Sequence, residues 1–164
     1  MRQIILIIHN VRSAHNVGSL LRTADGLGIE RVVISGHSPY PKLEADSRLP
    51  HLAVKNHRQI QKTALGAETS VAWEHVAEID NYLDRLKSQG YQVAALEQTP
   101  RAILLNEYSP PNKTALLVGS EIGGIEQDLL SQANVHLQIP MLGAKESFNV
   151  SVAAAMALYH LRYS

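Results

Sequence analysis

Short apolar runs alternate with amphipathic segments along this chain, and this alternation limits the possible folds more than any other feature of the sequence. The runs at residues 4–8 and 115–118 contain no polar residue. Such a run predicts a strand that is buried on both faces, as in a parallel sheet. Further strands are predicted at residues 31–35, 71–73, 92–96 and 135–139. The pattern predicts an α/β fold with a mainly parallel sheet flanked by helices.

Apolar residues at helical spacing mark the helices between these strands. The first helix has apolar residues at positions 17, 20, 21, 24 and 27, with Asn16 as its N-cap and Gly28 at its end. Residues 36–58 are polar and contain several prolines, so they are predicted to form a long surface loop with a short helix. Later helices are predicted at residues 79–86, 125–132 and 150–161.

The composition excludes several classes of site. The chain has no cysteine, which removes disulfides, thiolate metal ligands and cysteine nucleophiles. Its histidines show no i, i+4 pair and no HExxH motif, so no metal site is predicted. The N-terminal apolar run is only five residues long, too short for a signal peptide or a membrane span, and no run in the chain reaches the length of a membrane span. We therefore expect a cytoplasmic protein without a membrane partner.

Charge is distributed unevenly, although the net charge is zero. Residues 1–62 contain nine Lys and Arg against four Asp and Glu, whereas residues 63–164 contain six against eleven. Five of the eight histidines also lie in the positive part. Such an asymmetry is typical of a protein with a phosphate-facing side. Chance scatter of charges over a solvated surface explains the same counts equally well.

The loop GSEIGG at residues 119–124 invites comparison with nucleotide-binding loops. Gly119 and Gly124 have the spacing of a P-loop, but Ile125 and Glu126 stand where that motif has Lys and Ser or Thr. Glu121 within the loop would also repel phosphate groups. The dinucleotide fingerprint GxGxxG is absent as well. These departures disfavour a P-loop nucleotidase and a classical dehydrogenase.

A first motif, NVGSLLRTA, occupies residues 16–24. Gly18, Arg22 and Asp25 share the helix face opposite the apolar residues. Asn16 lies near the helix start, where free backbone N–H groups attract anions. Taken alone, the motif is equally well explained as a helix cap followed by a solvated arginine.

Two further motifs lie in the last third of the chain. LLVGSEIGGI at residues 116–125 combines a strand with a sharp glycine turn that carries Glu121. IPMLGAKESFNVSVAAA at residues 139–155 places Ser147 and Asn149 before an apolar helix. Taken alone, Glu121 is a favourable acid near a helix N-terminus and Ser147 is an adequate N-cap.

Read together and in this order, the three motifs resemble the signature motifs of the SpoU-type (TrmH-like) branch of the SPOUT methyltransferases. The resemblance covers almost the whole chain, including KTALGAE at 62–68 and VAALE at 93–97. It implies a C-terminal trefoil knot in the sheet and a homodimer with the active site at the interface. It also implies methyl transfer from S-adenosylmethionine to a ribose 2′-hydroxyl of RNA, without a metal.

The resemblance also identifies candidate site residues. Those implied for the catalytic site are Asn16, Arg22, Glu121, Ser147 and Asn149. Backbone groups implied to hold S-adenosylmethionine belong to Leu96, Gly119, Ile139, Met141 and Phe148. Phe148 replaces the leucine usual in the third motif, and Ser13-Ala14-His15 replaces the acid–proline pair usual before Asn16. The first departure alters the wall of the pocket, and the second alters the approach to the first motif.

Two alternatives to this function remain open. One is a catalytically silent RNA-binding module that keeps the fold, and the other is a methyltransferase that acts on something other than RNA, such as protein. The five intact catalytic candidates argue against the first, and the positive N-terminal part argues against the second. We expect a single methyltransferase domain over residues 1–164 with no appended RNA-binding domain. A chain of this kind has to bind RNA through the dimer surface itself, which favours a compact tRNA over rRNA.

Overall fold

The computed structural model describes all residues from 1 to 164. Its centre is a seven-stranded sheet in which every paired strand is parallel, as the unbroken apolar runs predict. The strands are β1 Gln3–His9, β2 Arg31–Ser35, β3 Trp73–Val76, β4 Gln92–Leu96, β5 Ile103–Leu104, β6 Lys113–Val118 and β7 Val135–Gln138. Their order across the sheet is β3-β2-β1-β6-β4-β7-β5.

Six helices connect and cover the strands. They are α1 Ala14–Gly26, α2 Pro50–Ala64, α3 Ala67–Ser70, α4 Ile79–Ser88, α5 Gln127–Gln132 and α6 Val150–Tyr163. A single 3₁₀ turn, Leu105–Glu107, lies between β5 and β6. The α/β fold with helices on both faces of the sheet is confirmed.

The alternation of side chains in β1 divides the interior into two cores. Ile4, Leu6 and Ile8 point to the face covered by α1 and α6, and all three are fully buried. Ile5 and Ile7 point to the opposite face, where α4 and α5 pack. Successive side chains of a strand point to opposite faces, so a run without polar residues is what a sheet covered on both sides requires.

The first helix starts three residues earlier than the sequence indicates. α1 begins at Ala14, and Ser13 is its N-cap, with Oγ accepting a hydrogen bond from the Asn16 N–H at 3.2 Å. The prediction that Asn16 caps this helix is therefore wrong. Because Ser13 satisfies the free N–H of the first turn, the Asn16 side chain is available for other contacts.

The prediction for residues 36–58 is wrong in its second half. A helix of 15 residues, α2, starts at Pro50, a residue favoured at the first helical position because it has no N–H to leave unpaired. Only Ala53, Ile60 and Ala64 of this helix are buried, so its apolar pattern is too sparse to predict it. Two smaller differences are that β3 begins at Trp73 and that the two-residue strand β5 was not predicted.

α2 packs against α1 at Gly18. A Cβ atom at that position would lie 2.3 Å from the Ile60 carbonyl oxygen and 2.2 Å from the Thr63 Oγ1. The Thr63 hydroxyl also donates a hydrogen bond of 2.7 Å to the His15 carbonyl. Glycine therefore permits close backbone contact here. The face that Gly18 shares with Arg22 and Asp25 is thus partly covered, rather than turned wholly to solvent.

No helix of the structure combines the length and the apolarity that crossing a membrane would require. The cytoplasmic location stays a prediction.

Candidate active site

The carboxyl ends of β4, β6 and β7 meet at one edge of the sheet, because the sheet order places β4 between the other two. The loops that follow these strands enclose a cavity of about 580 Å³. Ligands of open parallel sheets bind outside the carboxyl ends of the strands, and this volume lies in the range of small-molecule sites. The cavity is therefore the candidate active site.

Most residues implied to hold a cofactor do line this cavity. Leu96 ends β4, Gly119 follows β6, Ile139 follows β7, and Phe148 closes the cavity from the segment before α6. Ser147 and Asn149 of the catalytic set line it as well. Met141 is not among the lining residues.

The charges in the cavity wall are all of one sign. Three carboxylates, those of Glu97, Glu121 and Glu146, line it, and no lysine or arginine does. No group of three or more metal-ligating side chains occurs in the structure. A wall of this kind repels phosphates and favours a ligand that carries positive charge. Glu97 and Glu146 were not predicted as site residues, and the only sequence signal for Glu97 is its place directly after β4.

The turn between β6 and α5 is held by its own backbone. Ser120 and Gly124 exchange two hydrogen bonds of 3.0 Å, and the Ser120 Oγ accepts from the N–H groups of Ile122 and Gly123. A Cβ atom at Gly119 would lie 2.4 Å from the Gly124 carbonyl oxygen. From the sequence, a side chain at Gly119 is expected to collide with the cofactor; in the structure it collides first with this turn.

Glu121 joins this turn to the start of α1. One carboxylate oxygen accepts hydrogen bonds from the Asn16 side-chain amide at 2.9 Å and from the Ser13 N–H at 3.1 Å, and the other accepts from the Arg12 N–H at 3.0 Å. Partial burial acts to raise the pKa of Glu121, but the hydrogen bonds from Arg12, Asn16 and Ser13 outweigh it and lower the pKa below its ordinary value. Glu121 is therefore held as a carboxylate.

Asn149 extends this network to the third motif. Its side-chain amide donates to the Asn16 carbonyl oxygen at 3.3 Å. Its own carbonyl oxygen caps α6 by accepting from the Ser151 N–H at 2.9 Å and the Ser151 hydroxyl at 2.7 Å. The reading of Ser147 as an N-cap is wrong, since Asn149 has that place. One residue from each motif thus meets at the rim of the cavity.

Arg22 is not part of this network. Its side chain is exposed, does not line the cavity, and forms no hydrogen bond or ion pair. Its neighbours on the same helix face do have partners, since Gly18 contacts α2 and Asp25 accepts a hydrogen bond from the Ser70 hydroxyl of α3 at 2.7 Å. Six residues along α1 place Arg22 roughly 9 Å beyond Asn16.

Comparison with known proteins identifies relatives of this chain. A tRNA (guanosine(18)-2'-O)-methyltransferase of Escherichia coli (strain K12) is 32% identical over 152 residues, which are 93% of this chain and 59% of that protein. A solved RNA 2'-O ribose methyltransferase has a TM-score of 0.77 at 28% identity, over 98% of this chain and 55% of that one. An AdoMet-bound rRNA methyltransferase from Sinorhizobium meliloti shares the fold, with a TM-score of 0.80 at 20% identity, over 99% of this chain and 57% of that one.

These three proteins are longer, and this chain spans between 55% and 59% of their length. The model of the family described as the SpoU rRNA Methylase family matches residues 3–159. That match includes the three motifs and the loops around the cavity. On this evidence, the chain belongs to the SpoU rRNA Methylase family.

Proposed function

We propose that this protein transfers a methyl group from S-adenosylmethionine to a ribose 2′-hydroxyl of RNA, with tRNA favoured over rRNA. The observation that carries the proposal is the junction of Asn16, Glu121 and Asn149 at the rim of a cavity. Carboxylates line this cavity, and no lysine or arginine does. The relatives support the reaction, because two of them are named 2'-O methyltransferases of RNA. The E. coli relative, named for tRNA, supports the preference for tRNA.

The cavity suits S-adenosylmethionine in size and in charge. This cofactor carries a sulfonium and an ammonium group, and three carboxylates with no basic residue surround the space. Apolar side chains of Leu96, Ile139 and Phe148 offer contacts for its adenine and ribose. We infer that backbone groups of these residues, of Gly119 and of Met141 hold the cofactor. When bound, S-adenosylmethionine supplies a methyl group that is already electrophilic, so no metal is required.

The residues of the chain have to activate and align a weak nucleophile. Arginine is effectively never deprotonated, so Arg22 is not a simple general base. We infer that Arg22 binds phosphate and stabilises the negative charge that develops on the 2′-oxygen, while a phosphate oxygen or a neighbouring group accepts the proton. Asn16, Ser147 and Asn149 orient the ribose and the cofactor, and Glu121 holds the first motif against the cavity.

A homodimer would complete the site. Arg22 does not line the cavity of its own chain, so we infer that a partner subunit brings a second cavity to it. The alanine-rich side of α6 packs inward, with Ala154 and Ala157 fully buried. The outward side carries Val152, Tyr159 and Tyr163, which are 49%, 61% and 64% exposed and suit an interface. Light scattering should give twice the mass of one chain at micromolar concentration.

We also propose the trefoil knot and a single domain over residues 1–164. β7 lies between β4 and β5, and residues 97–112 run from β4 through β5 and back to β6. α6 then packs across the face that carries the 3₁₀ turn of that loop. This arrangement supports threading of the C-terminal segment through the loop. Contributions to both cores from the whole chain support one domain.

The test is methylation of RNA with labelled S-adenosylmethionine. The protein is incubated with unfractionated tRNA or with rRNA, the RNA is digested, and methylated nucleosides are separated. We expect label in 2′-O-methylated nucleosides, and more of it from tRNA. Label in bases, or in an added protein mixture with none in RNA, would replace this proposal by another methyltransferase activity.

Calorimetry separates the enzyme from the silent RNA-binding alternative. An enzyme should bind S-adenosylmethionine at micromolar concentration, with one site for each chain. A protein that binds tRNA but releases no heat with S-adenosylmethionine would be an RNA-binding module that keeps the fold.

A further inference from the structure

The outer face of α2 carries a line of basic side chains that the site described above does not use. His51, Lys55, Arg58 and Lys62 follow each other at i, i+4, i+7 and i+11, so they lie along one side of the helix, and all four are exposed. The buried residues of α2 lie on the opposite side, toward α1. We call these four residues the basic stripe.

The basic stripe has no acidic neighbour within its helix. Residues 47–67 contain no Asp or Glu, and Lys55, Arg58 and Lys62 take part in none of the salt bridges of the structure. The acids nearest in the sequence are already engaged, since Asp46 pairs with Arg48 and Glu68 is buried with its carboxylate accepting from the Gly66 N–H. Like charges three and four residues apart repel one another on a helix. An anionic partner would remove this repulsion.

The basic stripe is rigidly connected to the first motif. α2 is held against α1 by the close contact at Gly18 and by the hydrogen bond from Thr63 to His15. Arg22 lies on the same side of α1 as Gly18, one helical turn further along, and therefore on the side toward α2 and α3. A polyanion long enough to extend over both helices can contact Arg22 and the basic stripe together.

We propose that the basic stripe of α2 binds the ribose–phosphate backbone of the RNA substrate and so positions the target ribose near Arg22. This proposal rests on the proposed function. Lysine and arginine side chains bind phosphates by charge and read no base, so the stripe contributes affinity without sequence preference. Since it lies away from the cavity, it acts on RNA binding and leaves the methyl-transfer step unchanged. RNA is favoured over a lipid surface because the adjoining site is proposed to act on ribose.

The test compares two triple variants of the full chain that remove the same number of positive charges. The stripe variant carries Lys55→Gln, Arg58→Gln and Lys62→Gln, and glutamine keeps the helix propensity of α2. The control variant carries Arg85→Gln, Lys87→Gln and Lys113→Gln, which lie at α4 and the start of β6. Binding of unfractionated tRNA is measured by fluorescence anisotropy between 50 and 300 mM salt, with S-adenosylmethionine present, and methylation is measured over a range of tRNA concentrations.

For the stripe variant we expect the slope of log K against log salt to fall in magnitude by about 3. We expect the tRNA affinity to fall roughly 10- to 100-fold near physiological salt. KM for tRNA should rise by the same factor, while kcat at saturating tRNA and the binding of S-adenosylmethionine stay within twofold. The control variant should behave like the unmodified protein.

Other outcomes overturn the proposal. An unchanged salt slope in the stripe variant, or an equal loss in both variants, shows that α2 makes no specific contact with RNA. Loss of binding to phosphatidylserine vesicles with unchanged tRNA binding would assign the stripe to a membrane surface instead. If the unmodified protein binds tRNA through the stripe but methylates no RNA, the proposed function fails while the stripe remains an RNA contact.

Discussion

The carboxylate of Glu121, in the turn after β6, accepts a hydrogen bond of 2.9 Å from the side-chain amide of Asn16, 105 residues earlier in the chain. The same carboxylate accepts from the backbone N–H groups of Arg12 and Ser13. A single acidic side chain thus fixes the start of α1 beside the cavity, and the first prediction concerns its removal.

Glu121→Gln should weaken this junction. Glutamine has only one acceptor oxygen, and its NH₂ group would face N–H groups that now donate to the second carboxylate oxygen. Hydrogen bonds to charged groups are worth about 1.5–3 kcal/mol when buried, and the exposure of Glu121 reduces this to about 1 kcal/mol. The midpoint temperature of thermal unfolding should then fall by about 2–4 °C. Glu44→Gln, at an exposed acid without a partner, is the control. Equal midpoint temperatures for Glu121→Gln and Glu44→Gln would show that Glu121 does not hold the junction.

Coupling between Glu121 and Asn16 can be measured directly. The double variant Glu121→Gln/Asn16→Ala should lose less stability than the two single losses added together, with a coupling of about 0.5 kcal/mol or more. The measurement is denaturant unfolding of the four proteins. Additive losses would mean that the two side chains act independently in solution.

Arg22→Ala should leave the fold intact, because Arg22 is exposed and has no bonded partner. Single-turnover methylation should fall roughly 100-fold or more, as the loss of one donor to a developing charge does. Arg22→Lys should restore little activity, since an ammonium group lacks the forked geometry of guanidinium. Thermal unfolding and S-adenosylmethionine binding are the controls. A melted Arg22→Ala protein would indicate a structural role, and a fully active one would exclude Arg22 from catalysis.

Gly18→Ala should destabilise the protein, because its Cβ would lie 2.2 Å from the Thr63 Oγ1 and 2.3 Å from the Ile60 carbonyl oxygen. Overpacking of this kind costs about 1–3 kcal/mol. Gly26→Ala is the matched control in the same helix, since nothing lies within 4 Å of its added Cβ. Chemical denaturation should show a lower free energy of unfolding for Gly18→Ala and an unchanged one for Gly26→Ala. If neither variant lost stability, α2 would be able to shift away from α1 and accept the added methyl group without a measurable loss of free energy.

Gly119→Ala should distort the turn at the cavity, since its Cβ would lie 2.4 Å from the Gly124 carbonyl oxygen. We expect the affinity for S-adenosylmethionine to fall at least roughly tenfold, the equivalent of about 1.4 kcal/mol. Gly123→Ala tests the same turn without a clash, because its nearest contact is 3.8 Å away. Calorimetry should show weaker binding of S-adenosylmethionine to Gly119→Ala than to Gly123→Ala. Equal affinities would show that this turn is not part of the cofactor site.

Acid should destabilise the protein through His9. Burial lowers the pKa of His9 below its ordinary value of 6.5, although the nearby Glu126 opposes the shift. The unfolded chain therefore takes up a proton at higher pH than the folded chain, so stability falls as pH drops below about 6.5, by at most about 1.4 kcal/mol per pH unit. Melting curves from pH 7.5 to 5 should show a shallower fall for His9→Gln than for the control His15→Gln, an exposed histidine. Identical slopes would exclude His9.

Several elements could be predicted from local sequence because their residues are selected by local geometry. β2, β4 and α4 have the predicted positions within two residues, since apolar spacing and the terminal glycine Gly90 act over one element at a time. For the opposite reason, the sequence predicts only a short helix within a loop where the 15-residue helix α2 begins. α2 buries only three residues, and its helix depends on the contact of Gly18 with Ile60 and Thr63 from another part of the chain.

The site divides in the same way. The sequence by itself determined which residues carry the motifs, and it determined the α/β class and the resemblance to the SpoU-type methyltransferases. Only the tertiary structure decided that β4 lies between β6 and β7, so that Glu97, Glu121 and Glu146 line one cavity. It also decided that Asn16 bonds Glu121 while Ser13 caps α1, and that Arg22 lies apart from the cavity. Strand order and side-chain contacts across 100 residues depend on which surfaces can be buried together, and local periodicity carries no information about that choice.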